Sequence, residues 1–76
     1  MNEPDEQTRH EIRRQAREIY ERDVKHIVEA DPALRNKRLI IDTVSGAHEV
    51  DDELMTAIDR INARVPSAVL FSMRVG

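Results

Sequence analysis

The stretch from Lys37 to Asp52, KRLIIDTVSGAHEVDD, limits what this chain can fold into more than any other. Leu39, Ile40 and Ile41 are adjacent aliphatic residues, two of them β-branched, and they suit a strand with apolar neighbours. Ser45-Gly46 follows as a turn signal, because glycine takes positive φ without a Cβ clash. His48, Glu49 and Val50 form a short return strand. A hairpin therefore sits mid-chain, and the flanking elements must pack on it. Its register has two readings. A two-residue loop sets Asp42 opposite Glu49, a repulsive pair. A three-residue loop with a bulge at Gly46 sets Asp42 opposite His48, an attractive pair, and this register is preferred.

Before the hairpin, Ile12, Ala16, Ile19, Tyr20, Val24, Ile27 and Val28 fall on one stripe at helical spacing. Thr8 and Glu11 match a capping box, although the helix can also start near Asp5. Asp31-Pro32 ends it. Residues 1–7, with three acids and a proline, read as a flexible N-terminus, and residues 8–76 as a single domain. After the hairpin, Asp51 caps a second helix whose stripe is Leu54, Ala57, Ile58, Ile61 and Val65. Val50 and Met55 are placed to staple its start. Pro66 closes it, and residues 67–75 form the last strand.

The order α-β-β-α-β predicts an α+β fold with a three-stranded mixed sheet, order 2-1-3, and both helices on one face. The other face then keeps apolar residues drawn from Ile40, Val44, Ala68 and Leu70 uncovered. A first helix of about 22 residues is about 33 Å long, while a strand of six or seven residues spans about 20–23 Å. The helix overhangs the sheet, so a partner is expected to cover the excess. Ile12, Ala16, Ile19 and Tyr20 are the expected contact, made with a second copy (a homodimer) or with another small protein. An unpaired sheet edge is a further route for taking up another chain.

Composition narrows the function classes. The chain has 76 residues, no cysteine, 36% charged residues, 3% aromatics and a net charge of −3. A chain this short has a marginal core, and no disulfide or cysteine-based zinc site can reinforce it. The acidic balance argues against general affinity for nucleic acid. No apolar run reaches the roughly 20 residues of a membrane span, and the acidic N-terminus has no signal-peptide pattern. A cytoplasmic protein without a membrane partner is expected.

Four sets of phrases carry a resemblance: Ile19-Tyr20-Glu21-Arg22-Asp23-Val24; Leu39-Ile40-Ile41-Asp42 with Ser45-Gly46 and Glu49-Val50-Asp51; Pro66-Ser67-Ala68-Val69-Leu70-Phe71; and Met73-Arg74-Val75-Gly76. Together they resemble a family of short, mostly uncharacterised bacterial proteins, well represented in cyanobacteria. Some of its members look like the small, antitoxin-like partner of a two-gene pair. The resemblance implies that kind of role and supplies no catalytic residue. This chain has His48 where the family pattern has Tyr, and it stops at Gly76, where longer relatives continue with a Tyr-containing tail.

Few side chains invite chemistry. Asp23 interrupts the apolar stripe and is expected to pair with an arginine or a backbone amide at the rim of the core. Asp42, His48, Glu49, Asp51 and Asp52 lie near the hairpin, but a cation site needs several of these groups to converge, and helix capping already explains Asp51 and Asp52. His10, His26 and His48 lack metal-ligand spacing. With glycine only at 46 and 76, there is no phosphate loop. No cofactor, metal or catalytic residue is expected. The reading is a non-catalytic interaction module. Its alternative is a nucleic-acid-binding regulator that uses Arg13, Arg14 and Arg17 on the first helix, against which Glu11 and Glu18 interleave with those arginines.

Overall fold

Strand β1, Arg38–Asp42, is apolar on both sides, and that property sets the architecture. Side chains alternate along a strand, so Leu39 and Ile41 face one way and Ile40 the other. All three are buried, at 0%, 0% and 1% exposure. The computed structural model describes residues 6–76. It runs α1 (Glu6–Ile19), a π turn (Tyr20–Val24), α2 (Lys25–Val28), a 3-10 turn (Pro32–Leu34), β1, β2 (His48–Asp51), α3 (Leu54–Arg64) and β3 (Leu70–Arg74). The fold is α+β, with strand order β2-β1-β3.

Both ladders are antiparallel. The expected mixed character survives only in direction: β2 and β3 run the same way but are separated by β1. The expectation of both helices on one face is wrong. Tyr20, Val24 and Val28 pack with Leu39, Ile41 and Val75 on one side of the sheet. Ala57 and Ile61 of α3 pack with Ile40 on the other, where Leu70 and Ala47 join them. The sheet is therefore the middle layer of three. The physical reason is Ile40, which a one-sided arrangement would leave in water. The face expected to be uncovered is the one α3 occupies.

The first helix is long, as its periodicity predicts, but not uniform. Glu6 and Gln7 are already helical, so Thr8 is not its cap; residues 1–5, including Asp5, lie outside the described residues. At Tyr20–Val24 it widens into a π turn, and the Lys25 amide donates to the Tyr20 carbonyl five residues back. In an uninterrupted helix at about 100° per residue, Val24 and Val28 drift to about 120° and 160° from Ile12. Asp23 and Ile27 would lie at about 20° and 60°, inside the stripe. One extra residue in a turn sets back everything after it by about 100°, so Val24 and Val28 return to the core. They are 1% exposed, whereas Ile27 is 53% exposed. Asp23 is turned out and pairs with Arg22 at 2.8 Å, in line with the arginine pairing expected for it.

The hairpin adopts neither expected register. Asp42 lies opposite Ala47, with its amide donating to the Ala47 carbonyl at 2.9 Å. The loop has four residues, Thr43 to Gly46, with Gly46 at φ +82°. The cause is the Asp42 carboxylate. It is fully buried, and neither His48 nor Glu49 is its partner. It accepts from the Val44 amide (3.1 Å), the Ser45 amide (3.0 Å), the Ser45 hydroxyl (2.5 Å) and the Val69 amide (2.9 Å). These bonds wrap the loop around Asp42 and tie it to the entry of β3. In the second half of the chain, Asp51 is not the expected cap of the helix: it ends β2 and accepts the Glu53 amide at 2.9 Å, while Glu53 is the cap residue of α3 and makes no side-chain cap bond. Met55 is 64% exposed, so the expected Val50–Met55 staple does not form.

Candidate functional site

The contact surface expected on the first helix is largely used inside the chain. Ala16, Ile19 and Tyr20 are 0%, 8% and 7% exposed, and Ile12 is half-buried. The overhanging turns ahead of Ile12 carry Glu6, Gln7, Thr8, Arg9, His10 and Glu11, which have no need of apolar cover. Apart from half-buried Ile12, this part of the stripe is covered within the chain, and the described turns ahead of it are polar.

The arginines of the nucleic-acid alternative are not equivalent. Arg14 is held between Glu11 and Glu18, with the Glu18 carboxylate at 2.5 Å. Arg13 and Arg17 are exposed and make no ion pair among the described residues. Interleaved glutamates thus engage the middle arginine of the three.

The acids near the hairpin also have structural partners. Glu49 pairs with Arg64 at 3.0 Å, Asp51 with Arg60 at 3.1 Å, and Asp52 with Lys37 at 3.0 Å. His48 is half-buried, and burial pushes its imidazole below the usual range. Among the described residues, no three His, Asp or Glu side chains converge as a metal site. No described helix is long and apolar enough to cross a membrane. A hollow at the end of β3 is lined by Val28, Glu29, Arg35 and Val75, but the Glu29 carboxylate there accepts the Tyr20 hydroxyl.

The two sheet edges remain, and they differ. In an antiparallel ladder, alternate residues turn their backbone groups outward. On β2 the Asp42–Ala47 bond fixes the parity, so His48 and Val50 point outward. Arg64 donates to the His48 carbonyl at 2.8 Å, and Arg60 lies 3.5 Å from the Val50 carbonyl. The two arginines stand one turn apart on α3 and are anchored by Glu49 and Asp51. They guard this edge against another strand.

On β3 the Thr43 amide donates to Val69 and the Val75 amide donates to Lys37. Odd residues therefore face β1, and Leu70, Ser72 and Arg74 turn their N–H and C=O groups outward. Among the described residues, β1 is the only neighbour of β3, and no side chain reaches those outward groups. Above and below the bare edge sit Phe71 and Met73, half-buried on the α1 side, and Leu70, half-buried on the α3 side.

The residue-level reading did not find this contrast. A signal was present in the pairing of Glu49 and Asp51, two apart on a strand, with Arg60 and Arg64, four apart on a helix. That spacing lets two cations on one helix face meet two anions on one strand face. Comparison with known proteins gives no match: no family model, no curated protein and no solved structure matches the chain.

Proposed function

We propose that this chain is a small non-catalytic protein–protein interaction module that takes up an extended segment of another polypeptide as a fourth strand along β3. The observation that carries the reading is the contrast between edges: arginines cap the outward carbonyls of β2, while the outward groups of Leu70, Ser72 and Arg74 have no cover among the described residues. A bare edge offers a row of main-chain donors and acceptors as a template. A homodimer is one form of this reading. The antitoxin-like role implied by the family resemblance, with a second small protein as occupant, is another. The nucleic-acid alternative has less support, because Arg14 is engaged by two carboxylates.

The test is amide-resolved. A heptapeptide alternating valine and threonine is titrated into 15N-labelled protein. The expected result is shifted resonances and slowed hydrogen exchange at Leu70, Ser72 and Arg74, with His48 and Val50 unchanged. Perturbation confined to α1 or β2, or none at millimolar peptide, refutes the reading.

A further inference from the structure

Arg74 is the only charged residue of β3, and Arg38 lies directly opposite it on β1. Ladder parity makes them a non-hydrogen-bonded pair, in which Cα atoms approach to about 4.5 Å and side chains are closest. Like charges in that position repel. Neither arginine has an ion pair among the described residues. Asp51, the β2 residue facing Arg38, is engaged instead by Arg60 and by the Glu53 amide. The position just beyond Arg74, where an added strand would lie, therefore favours a carboxylate. On the opposite face, Phe71 and Met73 call for apolar side chains at the alternate positions of the same strand.

From this arrangement we infer that the β3 edge recognises an extended acidic segment of a different polypeptide, with a carboxylate opposite Arg74 and apolar side chains opposite Phe71 and Met73. The inference rests on the docking reading above and specifies its occupant. A second copy pairing through its own β3 or β2 does not supply the segment. Residues 65–76 contain no Asp or Glu, so β3 paired with β3 leaves Arg74 unanswered. The acidic strand β2 already has its outward carbonyls covered.

Three labelled heptapeptides test it. Each alternates valine and threonine and differs only in the residue opposite Arg74, which is glutamate, glutamine or lysine. Binding is read by fluorescence anisotropy at low salt. The glutamate peptide is expected to bind about five-fold more tightly than the lysine peptide, with glutamine between them. In Arg74→Glu the order reverses. That variant sets an acid against Arg38, so it keeps its fold, which far-UV circular dichroism checks. Equal binding of all three peptides, or a glutamate preference that persists in Arg74→Glu, overturns the inference and leaves strand docking intact. If none of the three binds at millimolar concentration, both fail.

Discussion

Replacing Asp42 with asparagine removes one charge and almost no volume, yet it is expected to be among the costliest single changes in this chain. The wild-type carboxylate is fully buried and accepts four hydrogen bonds, three of them from backbone amides. Asparagine offers one acceptor oxygen and turns an NH2 group toward the remaining donors. About two of the four bonds are lost, each worth roughly 1.5–3 kcal/mol when the acceptor is charged. The Ser45 hydroxyl can turn toward water, which brings the expected cost to about 2–4 kcal/mol. A chain of 76 residues holds about 4–11 kcal/mol in all, so the change removes a large share.

The same carboxylate has a pH signature. Burial pushes its pKa up, but the Ser45 hydroxyl and the Val69, Val44 and Ser45 amides outweigh burial and hold it below the usual value. A pKa lower in the fold than in the unfolded chain stabilises above about pH 4. That contribution disappears as pH falls through the folded value. Urea unfolding followed by far-UV circular dichroism at pH 7 and pH 3 measures both effects. Asp42→Asn is expected to lower the midpoint sharply at pH 7 and to lose less further stability on acidification than the wild type. A cost below about 0.5 kcal/mol at pH 7, with an unchanged acid slope, would refute the role given to Asp42.

Further outcomes are expected at Tyr20 and in the first helix. Tyr20 is the only tyrosine and there is no tryptophan, so its ionisation can be followed cleanly at 295 nm. Burial and the Glu29 carboxylate push its pKa up to about 12, so its stabilising contribution is present below the unfolded value near 10 and is lost as pH rises toward 12. A midpoint near 10 in the folded protein contradicts this; Tyr20→Phe is expected to cost about 0.5–1.5 kcal/mol in urea unfolding. Deleting Asp23 should let an ordinary α-helix run through the π turn with Val24 and Val28 still facing the core. Thermal melts are expected to show the deletion tolerated within about 1 kcal/mol. Deletion of Arg17, which throws Ile19 and Tyr20 off the stripe, is expected to unfold the chain.

Much of the architecture was legible in the residues. The apolar stripe, the Asp31-Pro32 stop, the aliphatic run at Leu39–Ile41, the turn glycine and Pro66 identify five elements in order. Each is a local signal, in which periodicity or backbone chemistry acts over a few residues. The central place of β1 was legible too, because it is the most apolar of the three strands. The acid inside the stripe, Asp23, is visible in the sequence but carries no unique meaning. Either a buried paired acid or a changed helical pitch answers it, and only packing against Leu39 and Ile41 selects the second.

Which edge stays bare was only hinted at in the sequence, for a different reason. Which strand is guarded depends on where α3 crosses the sheet, and that depends on whether Ile40 needs cover from the second side. The fate of Ala16, Ile19 and Tyr20 depends in the same way on where the helix lies along the sheet. Local periodicity and summed apolar content are enough to place the elements, their order and the centrality of β1. Tertiary structure alone decided the two-sided layering, the hairpin register around Asp42 and the difference between the edges. Those outcomes come from contacts between residues far apart in the chain, such as Asp42 with Val69 and Arg64 with His48, whose distances no local pattern encodes.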